Sequence, residues 1–194
     1  LPLSNGKILV GGRFNSYNRQ NVGSVVRLNA DGTIDSTFNT TTLMASATEN
    51  FVSRMALQSD GKILLRLLTS NIIINDGPSE ILIRLNEDGT FDTDFNYNGS
   101  QVITDMAIDA SDRLLLVGSF PETGSSATKI IRLNNDGSRD ISFQMNQQLT
   151  AHKVVAQGNK VVGMMLDETN NQNSLLRFNE NGSLDNSFSL TPTA

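Results

Sequence analysis

One twelve-residue stretch occurs four times in this chain, and that repetition constrains the fold more than any other feature. It reads RLNADGTIDSTF from Arg27, RLNEDGTFDTDF from Arg84, RLNNDGSRDISF from Arg132 and RFNENGSLDNSF from Arg177. A supersecondary unit used repeatedly cannot hide its apolar side alone, so stacked neighbours must cover it. Residues repeated for packing are also poor material for a catalytic constellation.

Within each copy, Asn-x-Asp/Asn-Gly suits a type I turn with Asn first and Gly fourth, where a positive φ is needed. Such a turn closes a hairpin with a G1 bulge. Counting outward from the bulge, Leu28 faces Ile34 and Arg27 faces Asp35. The equivalent charged pairs are Arg84 with Asp92, Arg132 with Asp140, and Arg177 with Asp185. Opposite charges directly across a hairpin contribute roughly 0.2–1 kcal/mol per pair. Period-two alternation then predicts Phe38, Phe95, Phe143 and Phe188 as core residues on the Leu28 face. The third copy has Arg139 where the others have Ile34, Phe91 and Leu184, which weakens its apolar face.

A second hairpin is expected upstream of each copy. Its turns are Asn5-Gly6, Asp60-Gly61, Ser111-Asp112 and Gly158-Asn159, residue types that suit tight primed turns. Lys7, Lys62, Arg113 or Lys160 follows, and then an apolar run: ILVGGRF, ILLRLL, LLLVGSF or VVGMML. Near-continuous apolar character implies a strand covered on both faces. Ahead of the turn lies a short leading strand, Met55-Ala56-Leu57, Met106-Ala107-Ile108 or, more loosely, Val154-Val155. Each repeat is therefore expected to be a four-strand antiparallel meander ending in a short outer strand.

Arg27, Arg84, Arg132 and Arg177 are separated by 57, 48 and 45 residues. The additions fall in the connection Thr40–Asn50 and in the loops Ser16–Ser24, Asn71–Glu80, Pro121–Lys129 and Asp167–Ser174. Unequal insertions in equivalent loops commonly mark a binding face. Their Asn, Ser, Thr and Gly content is equally that of plain solvated loops. Leu1-Pro2-Leu3 aligns with Ala56-Leu57-Gln58, so the first repeat lacks most of its leading strand, and Ser189–Ala194 is too short for another repeat. The expectation is a part of a longer array.

The chain has 194 residues, 38% of them hydrophobic and 18% charged, enough for a sizeable globular core. A net charge of −5 without a basic block argues against a nucleic-acid partner. No apolar run approaches the roughly 18 residues that span a bilayer, so membrane insertion is not expected, and no secretory leader is visible. With no Cys, disulfides and thiolate metal sites are excluded.

With these motifs laid out, the chain resembles the delta-60 repeat family. Asn5-Gly6-Lys7-Ile8-Leu9-Val10-Gly11-Gly12 and Arg27 to Phe38 carry the likeness, which extends over essentially the whole chain. Arg66-Leu67 and Met164-Met165 depart near the Gly-Gly pair. The resemblance implies an all-β, β-propeller architecture of four-stranded antiparallel blades. It also implies a place in large bacterial surface or secreted proteins, or in some phage proteins, and brings no catalytic residues. Physics points the same way, because four-stranded meanders with both faces apolar stack radially. About four blades are expected, approximately 1–39, 51–97, 102–145 and 152–190 of one repeat domain over 1–194, the first incomplete. An incomplete array exposes an apolar face and an open edge, which invites self-association.

Candidate chemistry is sparse. Asn-x-Asp-Gly-x-x-Asp is spaced like a calcium loop, yet Arg27, Arg84, Arg132 and Arg177 occupy the first ligand place, which repels a cation. His152, the only His, has no repeated partner and is expected at a surface or strand edge. Gly11-Gly12 beside Arg13 matches no phosphate-loop pattern. Asn39-Thr40-Thr41, Asn98-Gly99-Ser100 and Asn181-Gly182-Ser183 match the glycosylation acceptor pattern without deciding anything. Arg54, Asp105 and Lys153 break the repeat at leading-strand positions and could converge on a central channel. The expected function is a non-catalytic scaffold or adhesion-type binding module. It would bind protein or glycan through its variable loops, with no catalytic, cofactor or metal residues. The alternatives are an enzyme with its site in the channel and a purely architectural, self-associating array.

Overall fold

The structure, a computed structural model, describes residues 1–39, 50–74, 77–97, 99, 102–120, 128–145, 149–167 and 172–188, with backbone alone at 50, 69–74, 77–80 and 167. The Thr40–Asn50 connection and the Pro121–Lys129 loop lie almost wholly outside them. Parts of the Asn71–Glu80 and Asp167–Ser174 loops do too. Among the described residues there is no helix.

The chain divides into two compact units, Leu1–Ser100 and Gln101–Ala194. Each unit contains two repeats. The first repeat has β1 (Ile8–Gly11), a small hairpin of β2 (Ser16–Tyr17) and β3 (Gln20–Asn21), and β4 (Val25–Leu28). The second is the sheet β5 (Asn50–Leu57), β6 (Ile63–Ile74), β7 (Gly77–Leu85). The third is β8 (Ile103–Ile108), β9 (Leu114–Ser119), β10 (Thr128–Leu133), and the fourth is β11 (Leu149–Gln157), β12 (Lys160–Asp167), β13 (Gln172–Phe178). All pairings are antiparallel, with the apolar run always the middle strand. In the first repeat the leading strand is a stub, bridging Pro2 to Ile8.

The Asn-x-Asp/Asn-Gly turns form as expected. Gly32, Gly89, Gly137 and Gly182 donate to the carbonyls of Asn29, Asn86, Asn134 and Asn179 at 2.8–3.0 Å, and their φ values are +83° to +87°. Leu28, Leu85, Leu133 and Phe178 bridge to Ile34, Phe91, Arg139 and Leu184, in the predicted register.

Three expectations need correction. The outer strand is not a strand: it contributes one bridge and then turns, with Phe38 N–H donating to the Asp35 carbonyl at 3.1 Å. That turn reverses the face of the phenylalanine, since period-two alternation fails once the chain leaves extended geometry. Phe38 packs with Leu9 and Val25 on the Arg27 side, whereas Leu28 clusters with Val22 and Val26. Phe38 and Phe143 are buried, but Phe95 and Phe188 are half-buried. The upstream turns also differ. Gly6, Gly61 and Asp112 donate to Leu3, Gln58 and Asp109, so these too are type I turns with a bulge; only Gly158-Asn159 is a two-residue connection.

Packing within each unit follows one rule. Leu9, Val25 and Phe38 of the first repeat meet Val52, Ile63, Leu65 and Leu67 of the second. Leu115, Val117 and Ile130 of the third meet Val154, Val161 and Met165 of the fourth. A methyl added at Gly11 would lie 2.7 Å from Val52 Cγ1 and Met55 Sδ, which explains the small residue there. Each leading strand also carries one extra residue, Ser53, Thr104 or His152, at a β-bulge.

Candidate functional site

The strongest polar feature is an ion cluster that recurs in every repeat. Hairpin register brings Arg27 Nε to Asp35 Oδ2 at 2.6 Å, Arg84 Nε to Asp92 at 2.7 Å, Arg132 Nε to Asp140 at 2.7 Å and Arg177 Nε to Asp185 at 2.8 Å. The sequence pairing holds in all four. It missed a third member. Lys7, Lys62 and Lys160 from the upstream turn reach the same carboxylates at 2.8, 2.8 and 2.7 Å. The signal was present as the basic residue before each apolar run.

Each guanidinium also lies over the phenylalanine of its own repeat, 4.6–4.9 Å from the ring centroid. A cation over an aromatic face is attracted by the ring quadrupole. This is why the phenylalanine sits on the arginine side. The other carboxylate oxygen is taken as well. Oδ1 of Asp35, Asp92, Asp140 and Asp185 accepts the N–H of Thr37, Asp94, Ser142 and Ser187 at 2.9–3.1 Å.

The third cluster departs. Arg113 replaces the lysine and turns away, donating to Asp109 Oδ2 and Glu180 Oε1, both at 2.8 Å. Arg132 binds Asp140 without lysine support, through Nε and Nη2, both at 2.7 Å.

Two of these arginines join neighbouring repeats. Arg27 Nη1 donates to the Glu87 carbonyl at 2.6 Å, and Arg132 Nη1 to the Glu180 carbonyl at 2.7 Å. Alongside, Asn39 N–H donates to Asp88 and Gln144 N–H to Asn181, at 2.6 and 2.9 Å. The clefts beside these joints are open. One is lined by Arg27, Thr37, Asn86 and Glu87, the other by Arg113, Arg132, Ser142 and Asn179.

For Asp35 and Asp92, burial pushes the pKa up, but hydrogen bonds from the lysine, arginine and turn partners outweigh it; for Asp140, those from Ser142 and Arg132 do so, and all three net shifts are downward. Asp185 is lowered chiefly by Lys160, then by Ser187. A carboxylate whose folded pKa is depressed stabilises the fold above its unfolded pKa, near 3.9, and that contribution is lost as pH falls towards the folded value. We therefore expect a thermal midpoint that is level from pH 7 to 5 and drops by about 10 °C or more between pH 4 and 2. A midpoint unchanged down to pH 2 would refute this linkage.

The remaining sequence candidates scatter. Asp105 and Lys153 come together, Nζ to Oδ1 3.9 Å, while Asp105 Oδ2 accepts the Val154 N–H at 3.1 Å. Arg54 belongs to the other unit, where it donates to the Ser53 carbonyl at 3.1 Å. His152 is exposed at its bulge, a strand-edge position as expected. Arg13 lies over the Phe51 ring. Asn181 Oδ1 accepts from Ser183 within its turn; Thr40, Thr41, Asn98 and Ser100 of the other acceptor patterns lie outside the described residues. Among the described residues, no three His, Asp or Glu side chains gather as a cation site would require.

Comparison with known proteins agrees with the repeat. The family described as "Domain of unknown function (DUF5122) beta-propeller" matches at residues 3–38, 58–95, 110–143 and 161–188. The chain belongs to this β-propeller repeat family, and the delta-60 resemblance is of the same kind. Among curated proteins, none matches. Two solved structures of puromycin hydrolase are similar at a distance. One, a mutant complexed with PGG, is 12% identical with a TM-score of 0.40, covering 84% of this chain and 33% of that one. The other is 13% identical with a TM-score of 0.33, covering 95% and 37%. The chain thus spans about a third of the length of those proteins.

Proposed function

We propose that this chain is a non-catalytic segment of a β-propeller, serving as a scaffold and adhesion-type binding module in a larger surface, secreted or phage-fibre protein. Its repeats act as about four blades of a ring, and its variable loops meet a protein or glycan. The observation that carries this reading is a constant frame with unequal insertions at one place. Between second and third strands the first repeat inserts the β2–β3 hairpin, while β6 and β7 of the second run on to Ile74 and Gly77. The hairpin tip is held by Asn18 and Arg19, with φ of 47° and 65°, the geometry of a type I′ turn. Asn18, Arg19 and Gln20 are exposed. The repeated ionic groups, by contrast, are consumed within the frame.

The rival reading, an enzyme site between blades, draws on the Asp105–Lys153 pair alone. Lys153 is about half exposed, and Asp105 is held by the β11 backbone, which suits a tie between β8 and β11. Glycan and protein arrays probed with the purified chain provide the test. The Arg19→Gly variant keeps the turn, and its binding should fall at least about tenfold, as for an exposed contact side chain. No binding, together with substrate turnover abolished by Asp105→Asn and Lys153→Met, overturns the proposal.

A further inference from the structure

The packing rule within each unit defines two unlike faces of a repeat. The front carries Leu9 and Val25 in the first repeat, and Leu115, Val117 and Ile130 in the third; the back carries Ile63 and Leu65 in the second, and Val161 and Gly163 in the fourth. Front meets back at both joints. Covered front residues are 0–4% exposed, and covered Ile63 and Leu65 are 1% and 0%.

Of the remaining faces, one front and one back expose apolar side chains. On the front of the fourth repeat, Val155 is 59%, Met164 41% and Leu175 43% exposed. On the back of the first, Ile8 and Val10, the equivalents of Ile63 and Leu65, are 41% and 37% exposed. The β2–β3 hairpin region covers only the β4 half of that back face, through Phe14, Tyr17 and Val22 over Val26 and Leu28. An apolar front and an apolar back are thus both exposed, at places equivalent to those that the joints within each unit bury.

We propose that the front of the fourth repeat receives the β1 side of the first repeat of a second copy, so that chains associate head to tail. The internal joints fix the register. Ile130 Cδ1 stands 3.1 Å from where a methyl on Gly163 would be. Leu175 occupies the Ile130 place, opposite Met164 as Ile130 is opposite Val117, and Val10 occupies the Gly163 place. Leu175 of one copy accordingly packs on Val10 of the next. Such a heterologous contact makes closed rings if its rotation closes and filaments if it does not. The inference does not depend on the binding role proposed above: chains that associate but recognise no glycan or protein leave it standing.

The test is sedimentation of the full chain from about 1 to 500 µM, a range that brackets weak to moderate association. The expected result is a mass rising from 21.1 kDa to at least twice that value. Leu175→Glu and Val10→Lys should each abolish the rise, and an equimolar mixture of the two should restore a heterodimer. Because both sites are exposed, circular dichroism should match the parent. The chain has no Cys, so Val10→Cys and Leu175→Cys proteins, mixed and oxidised, should form the mixed disulfide in preference to either homodimer. A single species of 21.1 kDa at every concentration overturns the proposal. So does association that Leu175→Glu abolishes but Val10→Lys leaves intact, or preferential Leu175→Cys homodimers.

Discussion

An Arg132→Met variant is expected to lose about 3–5 kcal/mol of unfolding free energy, because removing one partner of a buried pair leaves the other charge uncompensated. Arg132 is 1% exposed and Asp140 9%. The same change at Arg27, Arg84 or Arg177 should cost less, since Lys7, Lys62 or Lys160 still faces the carboxylate. Only the third cluster has no lysine behind its arginine. An Arg113→Lys background sharpens the comparison. A lysine there can reach Asp140 as its counterparts reach their aspartates, so the Arg132→Met penalty should shrink by about 1 kcal/mol. Pairing Arg132→Met with Asp140→Asn should also recover part of the loss, because no charge is then stranded. Urea unfolding of these variants provides the measurement. Four equal losses, or no effect of the Arg113→Lys background, would show that lysine support does not matter.

Gly182→Ala is the second large effect. Two costs combine at this position. Its φ of +87° strains any residue with a Cβ, by about 1–2 kcal/mol. The added methyl would also sit 2.5 Å from the Gln144 carbonyl oxygen and 2.8 Å from its nitrogen, atoms of the preceding repeat's backbone that cannot rotate aside. Overpacking of this kind costs about 1–3 kcal/mol more. Gly89→Ala meets Asn39 in the same way, at 2.6 Å from its carbonyl oxygen. Gly158→Ala is the control, with φ +63° and nothing within 4 Å of the new methyl. We expect a total loss of about 2–5 kcal/mol for Gly182→Ala and about 1–2 for Gly158→Ala. Indistinguishable midpoints in denaturant would show that the close approach between repeats is not rigid.

Much of the frame was readable in the residues because turn chemistry fixes register. Once Gly32 takes a positive φ in the fourth turn position, Leu28 must face Ile34 and Arg27 must face Asp35. What failed was extrapolation beyond the bridge. Asp35 accepts the Thr37 N–H and folds the chain into a turn, so alternation no longer locates Phe38. The Asp-x-Ser/Thr-Phe spacing in three of the copies carries that information, which period-two alternation by itself does not use. Lys7 was visible yet unassigned, because its partner lies 28 residues away across a loop whose length sets no register. The second reason for Gly89 and Gly182 was out of reach, since the backbone that crowds each glycine belongs to another repeat. Of the candidate site, Asp105 and Lys153 meet, but Arg54 lies in a different compact unit, and spacing alone could not sort them.

Arg27 and Arg132 each hold two things at once, their own aspartate and a carbonyl of the next repeat. Loosening the first hairpin therefore frees the guanidinium that anchors the second, and likewise for the third and fourth. Nearest-neighbour terms of this kind make an array melt in linked blocks rather than as independent beads. Hydrogen exchange should then protect Asn86 and Asn179 amides to the depth of their upstream partners, so that the smallest thermodynamic unit of this chain is the pair and not the single repeat.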